Sequence, residues 1–288
     1  MNILILGISG MIGHILYRHL ELKTDWNIYG TLRSKSKLKF FKNKNLKNIF
    51  IYNIKDQNQI QKIFQFIKPS LVINCIGLVK QNKSLKNISE TIFTNSLYPN
   101  LLSKICNDYN IRLIHFSTDC VFSGQVGQYS ETSIPDASDL YGRTKFLGEL
   151  HSSKTLTIRT SFIGHQLSEK YALLEWFLKQ KYKCKGFYNS IYSGLPTIEI
   201  SEIMMNYIIP NNNISGLFHV SSEPITKFKL LNLIKKTYNH NIEITKDEKV
   251  HINRSLLSNK FKILTNYECP SWDIMIKKMF KYRKLSYV

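Results

Sequence analysis

The residues best suited to proton transfer are a tyrosine and a lysine in the segment Tyr141-Gly142-Arg143-Thr144-Lys145. Side chains four positions apart lie one above the other on the same face of a helix. A phenol titrates near pH ~10 and holds its proton too tightly for easy donation at neutral pH. A lysine ammonium one turn away would lower the pKa of Tyr141 and make it a usable general acid. A surface tyrosine and a solvated lysine give the same spacing, so this interpretation depends on the surrounding elements.

A second group of polar side chains follows the predicted strand Ile111–Phe116, about twenty residues before Tyr141. The group carries two hydroxyls, a carboxylate and a thiol. Parallel strands bring their carboxyl ends to one edge of a sheet, where ligands bind in α/β proteins. We therefore expect these side chains to stand at that crevice. The residues are Ser117, Thr118, Asp119 and Cys120.

The start of the chain predicts the element that would hold a cofactor. Asn2–Leu6 is a short apolar run, and the turn GISGMIG at 7–13 leads into a helical pattern of apolar residues. Glycines permit a tight turn and close approach to a pyrophosphate, which the helix N-terminus then stabilises. A plain strand-to-helix turn would also contain glycines, but the position directly after a buried strand favours a dinucleotide site. The predicted contacts are Gly7, Ser9, Gly10, Met11, Ile12 and Gly13.

The second predicted strand, Asn27–Thr31, bears on the choice of cofactor. An NAD site usually places a carboxylate near the end of this strand, where it holds the ribose hydroxyls. Here the strand runs into Arg33, Ser34 and Lys35 without a carboxylate. These side chains could hold a 2′-phosphate, so we predict NADPH in preference to NADH. The alternative is that the basic stretch Lys35–Lys47 is in part a solvated loop.

Strands and helices alternate over the first half of the chain, which predicts a Rossmann-type, doubly wound parallel sheet with its site at the strand carboxyl ends. We assign residues 1–165 to this cofactor domain, with 190–215 returning to it. We assign 166–189 and 216–288 to a smaller C-terminal α/β substrate lobe. A strand at Leu71–Ile73 leads into small and polar residues whose backbone could follow a cofactor, namely Asn74, Cys75, Ile76 and Gly77. Later predicted helices are Ile88–Asn107, the helix bearing Tyr141, Lys145 and Glu149, Lys170–Gln180 and Ser201–Ile209.

Composition limits the class of protein. The 288 residues are 43% apolar and 21% charged, as in a globular protein with a full core. No apolar run reaches the ~18–20 residues of a membrane span, and the first residues predict a buried strand rather than a signal peptide. Five cysteines without a CxxC pair favour reduced thiols and a cytoplasmic location. The eight histidines form no metal-binding spacing, so we expect no metal.

The net charge of +20 has two interpretations. It could attract polyanions or phosphate-rich small molecules. It could also be a solvated coat, because lysine, asparagine and isoleucine are abundant together, as an AT-rich genome would make them. The basic residues are spread along the chain with no aromatic-basic pattern of a nucleic-acid module. We favour the solvated coat and expect neither a nucleic acid nor a membrane as partner.

Several motifs together resemble one enzyme family. GxxGxxG near the start, STDxVFxG after the fifth strand, YGxxKxxGE from Tyr141 and RTS from Arg159 resemble the extended short-chain dehydrogenase/reductases. The chain resembles the dTDP-4-dehydrorhamnose reductase family along nearly its whole length. The C-terminal half carries two more of that family's motifs, GLPT ending at Thr197 and RSL beginning at Arg254. The pieces NCIGLVKQ, SLYPNLL, LLEWFL and HVSSEPI look closer to reductases of UDP-2-acetamido-2,6-dideoxy-L-hexos-4-ulose, in the UDP-N-acetyl-L-rhamnosamine or quinovosamine pathway.

The resemblance implies that NADPH delivers hydride to C4 of a UDP- or dTDP-linked 4-keto-6-deoxysugar. Tyr141 would protonate the developing oxyanion, Lys145 would hold the nicotinamide ribose, and Thr118 would hydrogen-bond the ketone oxygen. Asn95, Ser117 and Tyr141 would join Lys145 among the cofactor contacts. Homodimers are usual among such enzymes, although no stretch here predicts an interface. The implied substrate contacts are Lys80, Thr118, Asp119, Cys120, Asn189, Thr197 and Arg254.

Two residues of the substrate lobe permit more than one interpretation. Arg254 could pair with a diphosphate, since a planar guanidinium matches phosphate oxygens, or it could be a surface arginine. Trp176 lies in a stretch of helical spacing, which favours a core position over a platform for the nucleotide base.

Cys120 departs from the rhamnose reductase pattern, which has tyrosine there. Related epimerase/reductases carry a cysteine at this position, so Cys120 could act as a base, with Lys170 as a second acid for epimerisation at C3 or C5. A buried structural cysteine and a plain reductase are the favoured alternative. A third possibility is a cofactor-binding regulatory subunit, because the non-catalytic subunit of methionine adenosyltransferase resembles the same family.

Overall fold

The computed structural model of the chain describes residues 1–41, 46–79, 87–168 and 171–283. Two predicted site residues, Lys80 and Lys170, lie outside these ranges, so their roles stay predictions. Within the described ranges, no helix is both long and apolar enough to cross a membrane.

The described strands are short, and the helices rarely exceed three turns. In chain order the strands are β1 (Asn2–Leu6), β2 (Asn27–Leu32), β3 (Ile49–Ile51), β4 (Leu71–Asn74), β5 (Arg112–Phe116), β6 (Thr155–Arg159), β7 (Phe162–Ile163), β8 (Lys183–Phe187), β9 (Ser190–Tyr192), β10 (Leu195–Pro196), β11 (Gly216–His219), β12 (Ile225–Thr226), β13 (Glu243–Asp247) and β14 (Ile252–Asn253). The helices are α1 (Met11–Lys23), α2 (Gln57–Ile67), α3 (Ile88–Ile92), α4 (Tyr98–Asp108), α5 (Leu140–Leu147), α6 (Leu173–Lys179), α7 (Thr197–Ile203), α8 (Lys227–Tyr238), α9 (Asn259–Thr265) and α10 (Trp272–Lys281). Two π-helical turns, Phe93–Leu97 and Met204–Ile208, follow α3 and α7.

Seven strands form the main sheet in the order β11-β6-β5-β4-β1-β2-β3, and every neighbouring pair is parallel. The register places Leu4 of β1 beside Tyr29 on one side and Val72 on the other. Chain order reverses between β1 and β4, which leaves a crevice at the carboxyl ends of these strands. The predicted Rossmann-type, doubly wound sheet is confirmed.

Both faces of the main sheet are covered, which explains why β1 is apolar throughout. Alternate residues of a strand point to opposite faces. Ile3 and Ile5 belong to a core cluster that includes α1 and α7, whereas Leu4 and Leu6 belong to a second cluster with α2 and α4. A strand buried on both faces has a continuous apolar sequence rather than an alternating one.

Beyond the main sheet, short strands build a smaller second layer. β9 pairs with β12 antiparallel and with β14 parallel, and β8 pairs with β13 parallel. Helix α8 packs on β8 and on α10, which also contacts α7. This layer carries the segments after β9 and β14 toward the main sheet.

Two boundaries of the predicted domains need a correction. Strand β9 (Ser190–Tyr192), predicted to return to the cofactor domain, pairs with β12 and β14 of the second layer. The strand Gly216–His219, assigned to the substrate lobe, pairs with β6 and forms the edge of the main sheet. Backbone pairing across distant segments decides this placement, and no local pattern signals it. The assignment of the domains to cofactor and substrate stays a prediction.

Several predicted helices have other bounds. The helix of Tyr141 ends at Leu147, so Glu149 lies beyond it. A Cβ on Gly148 would stand 1.9 Å from the carbonyl oxygen of Asn95, so the close approach of two backbones fixes this end. The other differences are α6, which begins at Leu173 rather than Lys170, α7, which begins at Thr197 rather than Ser201, and the π-helical turn that interrupts the helix predicted at Ile88–Asn107.

Candidate active site

A cavity of about 1280 Å³ lies at the carboxyl ends of the main-sheet strands. Its walls include residues that directly follow β1, β2, β4 and β5, and residues of β9 and the segment after β14. A pocket for one small ligand usually occupies roughly 300–1,000 Å³. The cavity therefore has room for two ligands side by side.

The glycine turn after β1 forms one end of the cavity. Gly7 has a φ of 80°, and its N–H donates to Oγ1 of Thr31 at 3.1 Å. Helix α1 begins at Met11, and Gly10, Met11 and Ser9 line the cavity. The N-terminus of α1 carries the partial positive charge of the helix dipole, which favours an anion. No acidic side chain in the first turn of α1 opposes this.

Of the other two residues predicted in this turn, one lines the cavity and one packs behind it. Ile12 lines the cavity, but Gly13 does not. A Cβ on Gly13 would stand 2.4 Å from the carbonyl oxygen of Gly7. Gly13 therefore permits the turn to pack on α1, which is a structural requirement rather than a ligand contact.

The end of β2 supplies a basic rim without a carboxylate. Arg33 and Ser34 line the cavity as predicted, but Lys35 does not, and Ser36 and Lys37 take its place. The segment turns into a short 3₁₀ helix at Lys35, which directs successive side chains to different sides. Nζ of Lys37 donates to Oγ of Ser168 at 2.7 Å, so this lysine joins two sides of the cavity mouth.

The segment after β4 lines the cavity with Cys75, Ile76 and Gly77, as predicted. Asn74 also lines it, and its Oδ1 accepts a hydrogen bond from the N–H of Ile76 at 3.0 Å. Burial raises the pKa of the Cys75 thiol, so this cysteine is not suited to act as a thiolate. The segment thus offers backbone and small side chains to a ligand.

Asn95 was predicted as a cofactor contact, but it lies behind the cavity wall. Its Oδ1 accepts from the N–H of Leu78 at 2.8 Å, and its Nδ2 donates to the carbonyl oxygen of Leu78 at 3.1 Å. The π-helical turn Phe93–Leu97 places it there. Asn95 therefore holds the segment after β4 in position.

The polar group after β5 stands at the cavity as predicted. Ser117, Thr118, Asp119 and Cys120 all line it. Oγ1 of Thr118 accepts from the N–H of Cys120 at 3.1 Å and thereby caps the short turn Asp119–Val121. The same hydroxyl lies 3.1 Å from Oδ1 of Asp119, to which it donates.

Ser117 connects the cavity to a buried ion pair. Its hydroxyl donates to Oε1 of Glu149 at 2.6 Å. Nη2 of Arg159 donates to Oε2 of Glu149 at 2.7 Å, and both side chains are almost fully enclosed. The Ser117 hydroxyl and the Arg159 guanidinium therefore hold the Glu149 carboxylate in one place.

Tyr141 and Lys145 both line the cavity from α5. Oδ1 of Asp139 caps this helix by accepting from the N–H of Gly142 at 3.0 Å. Nζ of Lys145 donates to the carbonyl oxygen of Phe116 at 2.7 Å. Burial lowers the pKa of Lys145 to about 8, with Glu149 opposing the shift.

The pKa of Tyr141 does not follow the prediction. Burial raises it above its usual value, Cys120 and the carboxylates of Asp119 and Asp139 add to the rise, and a hydrogen bond with Thr118 opposes it. The expected lowering by Lys145 is wrong in this arrangement, because the lysine is directed toward the backbone of β5. Tyr141 is accordingly held as a neutral phenol, whose proton only a stronger base such as a developing alkoxide would take.

Arg254 reaches the catalytic end of the cavity. Its Nε donates to the carbonyl oxygen of Phe122 at 2.8 Å, and its Nη1 lies 3.9 Å from Sγ of Cys120. The guanidinium is thus fixed at the wall beside the thiol. The alternative of a solvated surface arginine is wrong.

Two predicted substrate contacts do not reach the cavity. Nδ2 of Asn189 donates to the carbonyl oxygen of Glu248 and stabilises a turn between β8 and β9. Thr197 is buried at the start of α7 and packs against Gly164. Both positions were inferred from motif order, which does not determine which way a side chain points.

The sequence missed one wall of the cavity. Trp176 of α6 is 38% exposed and lines the cavity, so its predicted core position is wrong. The helix has apolar residues on two faces, one toward the core and one toward the cavity, and periodicity alone does not separate them. Other lining residues without a sequence signal are Tyr52, Asn53, Tyr171, Gln180, Lys185, Tyr192 and Lys227.

All five cysteines lie in the described ranges as thiols. Across the residues that the structure describes, no group of three or more His, Cys, Asp or Glu side chains is placed to hold a metal ion.

A family model matches most of this chain, and known proteins match parts of it. Residues 1–281 match the family model described as RmlD substrate binding domain. The subunit beta of methionine adenosyltransferase 2 from Xenopus laevis is 26% identical over 151 residues, 51% of this chain and 41% of that protein. A dTDP-4-keto-6-deoxy-D-glucose reductase from Streptomyces niveus is 30% identical over 98 residues, 34% of each chain. The aligned segments thus span less than half the length of these two relatives.

Among solved structures, a dTDP-4-dehydrorhamnose reductase from Bacillus anthracis in complex with NADP has a TM-score of 0.79. The two chains are 21% identical, and the match covers 97% of this chain and 98% of that one. At this identity the likeness establishes the fold.

Proposed function

Since this chain belongs to the RmlD substrate binding domain family, we propose that it reduces the C4 ketone of a nucleotide-activated 4-keto-6-deoxyhexose, with NADPH as the hydride donor. One observation carries the proposal. Tyr141, Lys145 and Thr118 share a single cavity with the glycine turn after β1. A proton donor, a cation and a hydroxyl therefore stand beside a site shaped for a dinucleotide.

The residues of the cavity fit the proposed cofactor. The pyrophosphate would lie on Gly10 and the N-terminus of α1, where backbone N–H groups favour an anion. Arg33 and Lys37 would hold the 2′-phosphate at the rim after β2. NADPH, when bound, supplies a hydride to the ketone carbon.

Side chains of the protein would stabilise the negative charge that develops on the ketone oxygen. Tyr141 donates its phenolic proton to that oxygen as negative charge develops, and Thr118 adds a hydrogen bond to it by turning its hydroxyl away from Asp119. Lys145 contributes positive charge, since a pKa of about 8 leaves it mostly protonated at neutral pH. Ser117 and Glu149 hold the segment after β5 in position from behind.

For the substrate we propose a UDP-linked sugar with a 2-acetamido group, with a dTDP-linked sugar as the alternative. The pieces of sequence cited above for the UDP-sugar reductases support this choice. The nucleotide end would lie on the second layer, where Trp176 offers an exposed aromatic face and Lys185 a cation. Arg254 would stand between this end and the ketone, beside Cys120.

Product analysis in D2O tests the reaction. Purified protein, NADPH and UDP-2-acetamido-4-keto-2,6-dideoxyhexose should give one 6-deoxyhexose without deuterium at C3 or C5, as seen by NMR and mass spectrometry. The same reaction with the dTDP-linked 4-keto-6-deoxyhexose measures the preference for the nucleotide.

Deuterium at C3 or C5 that disappears in Cys120→Ser would instead establish an epimerase activity with Cys120 as base. Because the Cys120 thiol contacts Arg254 in the cavity wall, replacing it tests both a role as base and a role in the wall. Activity that is retained without deuterium exchange at C3 or C5 would mean that the Cys120 thiol only forms part of the cavity wall.

A second candidate function is a cofactor-binding regulatory subunit, because a methionine adenosyltransferase subunit beta is among the relatives. The combination of Thr118, Tyr141 and Lys145 in one cavity favours the enzyme. Protein that binds NADPH but oxidises it with neither sugar nucleotide would favour the regulatory role.

Arg33→Ala is expected to lower kcat/KM for NADPH by about 10–100-fold and to leave that for NADH nearly unchanged. A charge-assisted hydrogen bond contributes ~1.5–3 kcal/mol, and the 2′-phosphate is present only in NADPH. Steady-state kinetics with both cofactors checks this. Lys39→Ala is the matched control, since Lys39 is exposed on the 3₁₀ helix that follows Arg33 and does not line the cavity. Equal losses with both cofactors would contradict a 2′-phosphate contact.

A further inference from the structure

His115 is a buried histidine of β5 that lies behind the cavity and takes no part in the mechanism above. Its Nε2 lies 3.4 Å from Nζ of Lys145, and its Nδ1 lies 3.1 Å from Nδ2 of Asn74. The imidazole is therefore enclosed between two side chains that both line the cavity. Which ring nitrogen carries the proton decides what His115 does to Lys145.

The neighbours of Asn74 determine that tautomer. The backbone N–H of Ile76 can only donate, so the atom of Asn74 that it meets at 3.0 Å is the amide oxygen. The amide nitrogen of Asn74 then faces Nδ1 of His115 and donates to it. An Nδ1 that accepts a hydrogen bond carries no proton, so in the neutral ring the proton is on Nε2, toward Lys145.

We propose that His115 is a positioning residue which, held in its Nε2–H tautomer by Asn74, donates a hydrogen bond to Nζ of Lys145 and favours the neutral amine. A neutral amine has two N–H groups and one lone pair. In this neutral form one N–H of Lys145 donates to the carbonyl oxygen of Phe116 and the lone pair accepts from His115. The other N–H can donate to a ligand in the cavity. The ammonium, which is the form that the proposed reaction uses at neutral pH, has no lone pair. One of its N–H groups then opposes that of His115, so His115 makes Lys145 easier to deprotonate without removing its charge at neutral pH.

The charged surroundings agree with this assignment. Burial and the nearby Lys145 hold the pKa of His115 well below its usual value, so the ring stays neutral. Tyr141, Arg143 and Glu149 are charged or titratable groups on and just after α5, and Asp119 and Cys120 are those on the turn after β5. Of these, Glu149 raises the pKa of Lys145, and its carboxylate is already paired with Arg159. The Asn74–His115 chain thus opposes Glu149 in setting the charge of Lys145.

The inference rests on the proposed function for its consequence in catalysis, but its structural content can be tested without turnover. Two-dimensional ¹H–¹⁵N spectra of protein labelled in its histidines report which ring nitrogen is protonated. His14 and His219 serve as internal references, because the Nδ1 of each meets a backbone carbonyl oxygen and must donate. We expect Nδ1–H for these two and Nε2–H for His115.

Asn74→Asp is the variant that should reverse the arrangement. It keeps the shape and the acceptor for Ile76, but it presents an oxygen rather than N–H to Nδ1 of His115. One histidine should change from Nε2–H to Nδ1–H, which also assigns His115. A bare Nε2 would then accept from the Lys145 ammonium. The loss of activity at alkaline pH should shift upward by at least about one pH unit, since the reversed hydrogen bond and the new carboxylate both favour the ammonium.

His115→Leu provides an independent check, because it removes the donor without adding a charge. The alkaline limb of kcat/KM should again move to higher pH. A His115 found as Nδ1–H in the wild-type protein would overturn the inference, whatever the activity. An alkaline limb unchanged in both variants of an active enzyme would overturn it as well. Wild-type protein that binds NADPH but reduces no sugar nucleotide would refute the proposed function alone, while the spectra still decide the tautomer.

Discussion

Tyr141→Phe is expected to lower kcat by about 10²–10⁴-fold, the range that a positioned general acid contributes. The change removes only the phenolic hydroxyl, which lies within hydrogen-bonding reach of Thr118. Because burial raises the pKa of Tyr141, the phenol stays protonated through neutral pH. NADPH affinity should change little, since the pyrophosphate and 2′-phosphate contacts proposed above lie elsewhere in the cavity.

Single-turnover NADPH oxidation and NADPH titration, performed on the same preparation, separate the two effects. Tyr17→Phe is the matched control, because Tyr17 is also buried, its hydroxyl has no hydrogen-bond partner among the described residues, and it does not line the cavity. That variant should retain the wild-type rate. A Tyr141→Phe enzyme with near wild-type kcat would exclude Tyr141 as the acid and direct attention to Thr118 or Cys120.

The sequence predicted those parts of the site whose geometry is determined by residues close together in the chain. A strand, a glycine turn and a helix follow one another within residues 2–23, so neighbouring residues determine their geometry. The same holds for the turn after β5, where Thr118 caps its own segment. The sheet could be predicted because apolar runs of strand length alternate with amphipathic helices.

The parts that were missed depend on contacts between distant segments. Asn95 lies in a π-helical turn, which inserts one residue into a helix and changes the direction of every side chain after it. Trp176 is apolar whether it faces the core or a ligand, so hydrophobicity could not place it. The contact between Lys145 and His115 joins α5 to β5 over 30 positions in sequence. None of these has a local signature.

The pKa of Lys145 leads to a trade-off between stability and activity. Its value in the folded protein is about 8, below the 10.5 of an ordinary lysine. Between these values the unfolded chain binds a proton that the folded protein does not, so the free energy of unfolding rises with pH. Below pH 8 both states are protonated, and burial of the ammonium destabilises the folded protein by about 3 kcal/mol.

Lys145→Met should therefore stabilise the protein while it abolishes most of the activity. At pH 7 the variant loses the burial penalty but also the hydrogen bond to Phe116, worth ~1 kcal/mol, so we expect unfolding to require about 1–2 kcal/mol more than in the wild type. As pH rises from 8 to 10 the wild-type protein should approach the variant in stability. Activity should fall by about 10²–10³-fold, because the charge near the ketone and the support of the ribose are lost together.

Denaturant unfolding at pH 7 and pH 10, alongside kcat at pH 7, measures both halves of this trade-off. Lys145→Arg helps to interpret the result, because a guanidinium keeps its charge when buried and should destabilise the protein at both pH values. A Lys145→Met protein less stable than the wild type at pH 7, with the same difference at pH 10, would show that Lys145 supports the fold through packing rather than opposing it through charge. The stabilisation we expect would instead mean that the folded protein retains a destabilising cation at the one position where the reaction requires it.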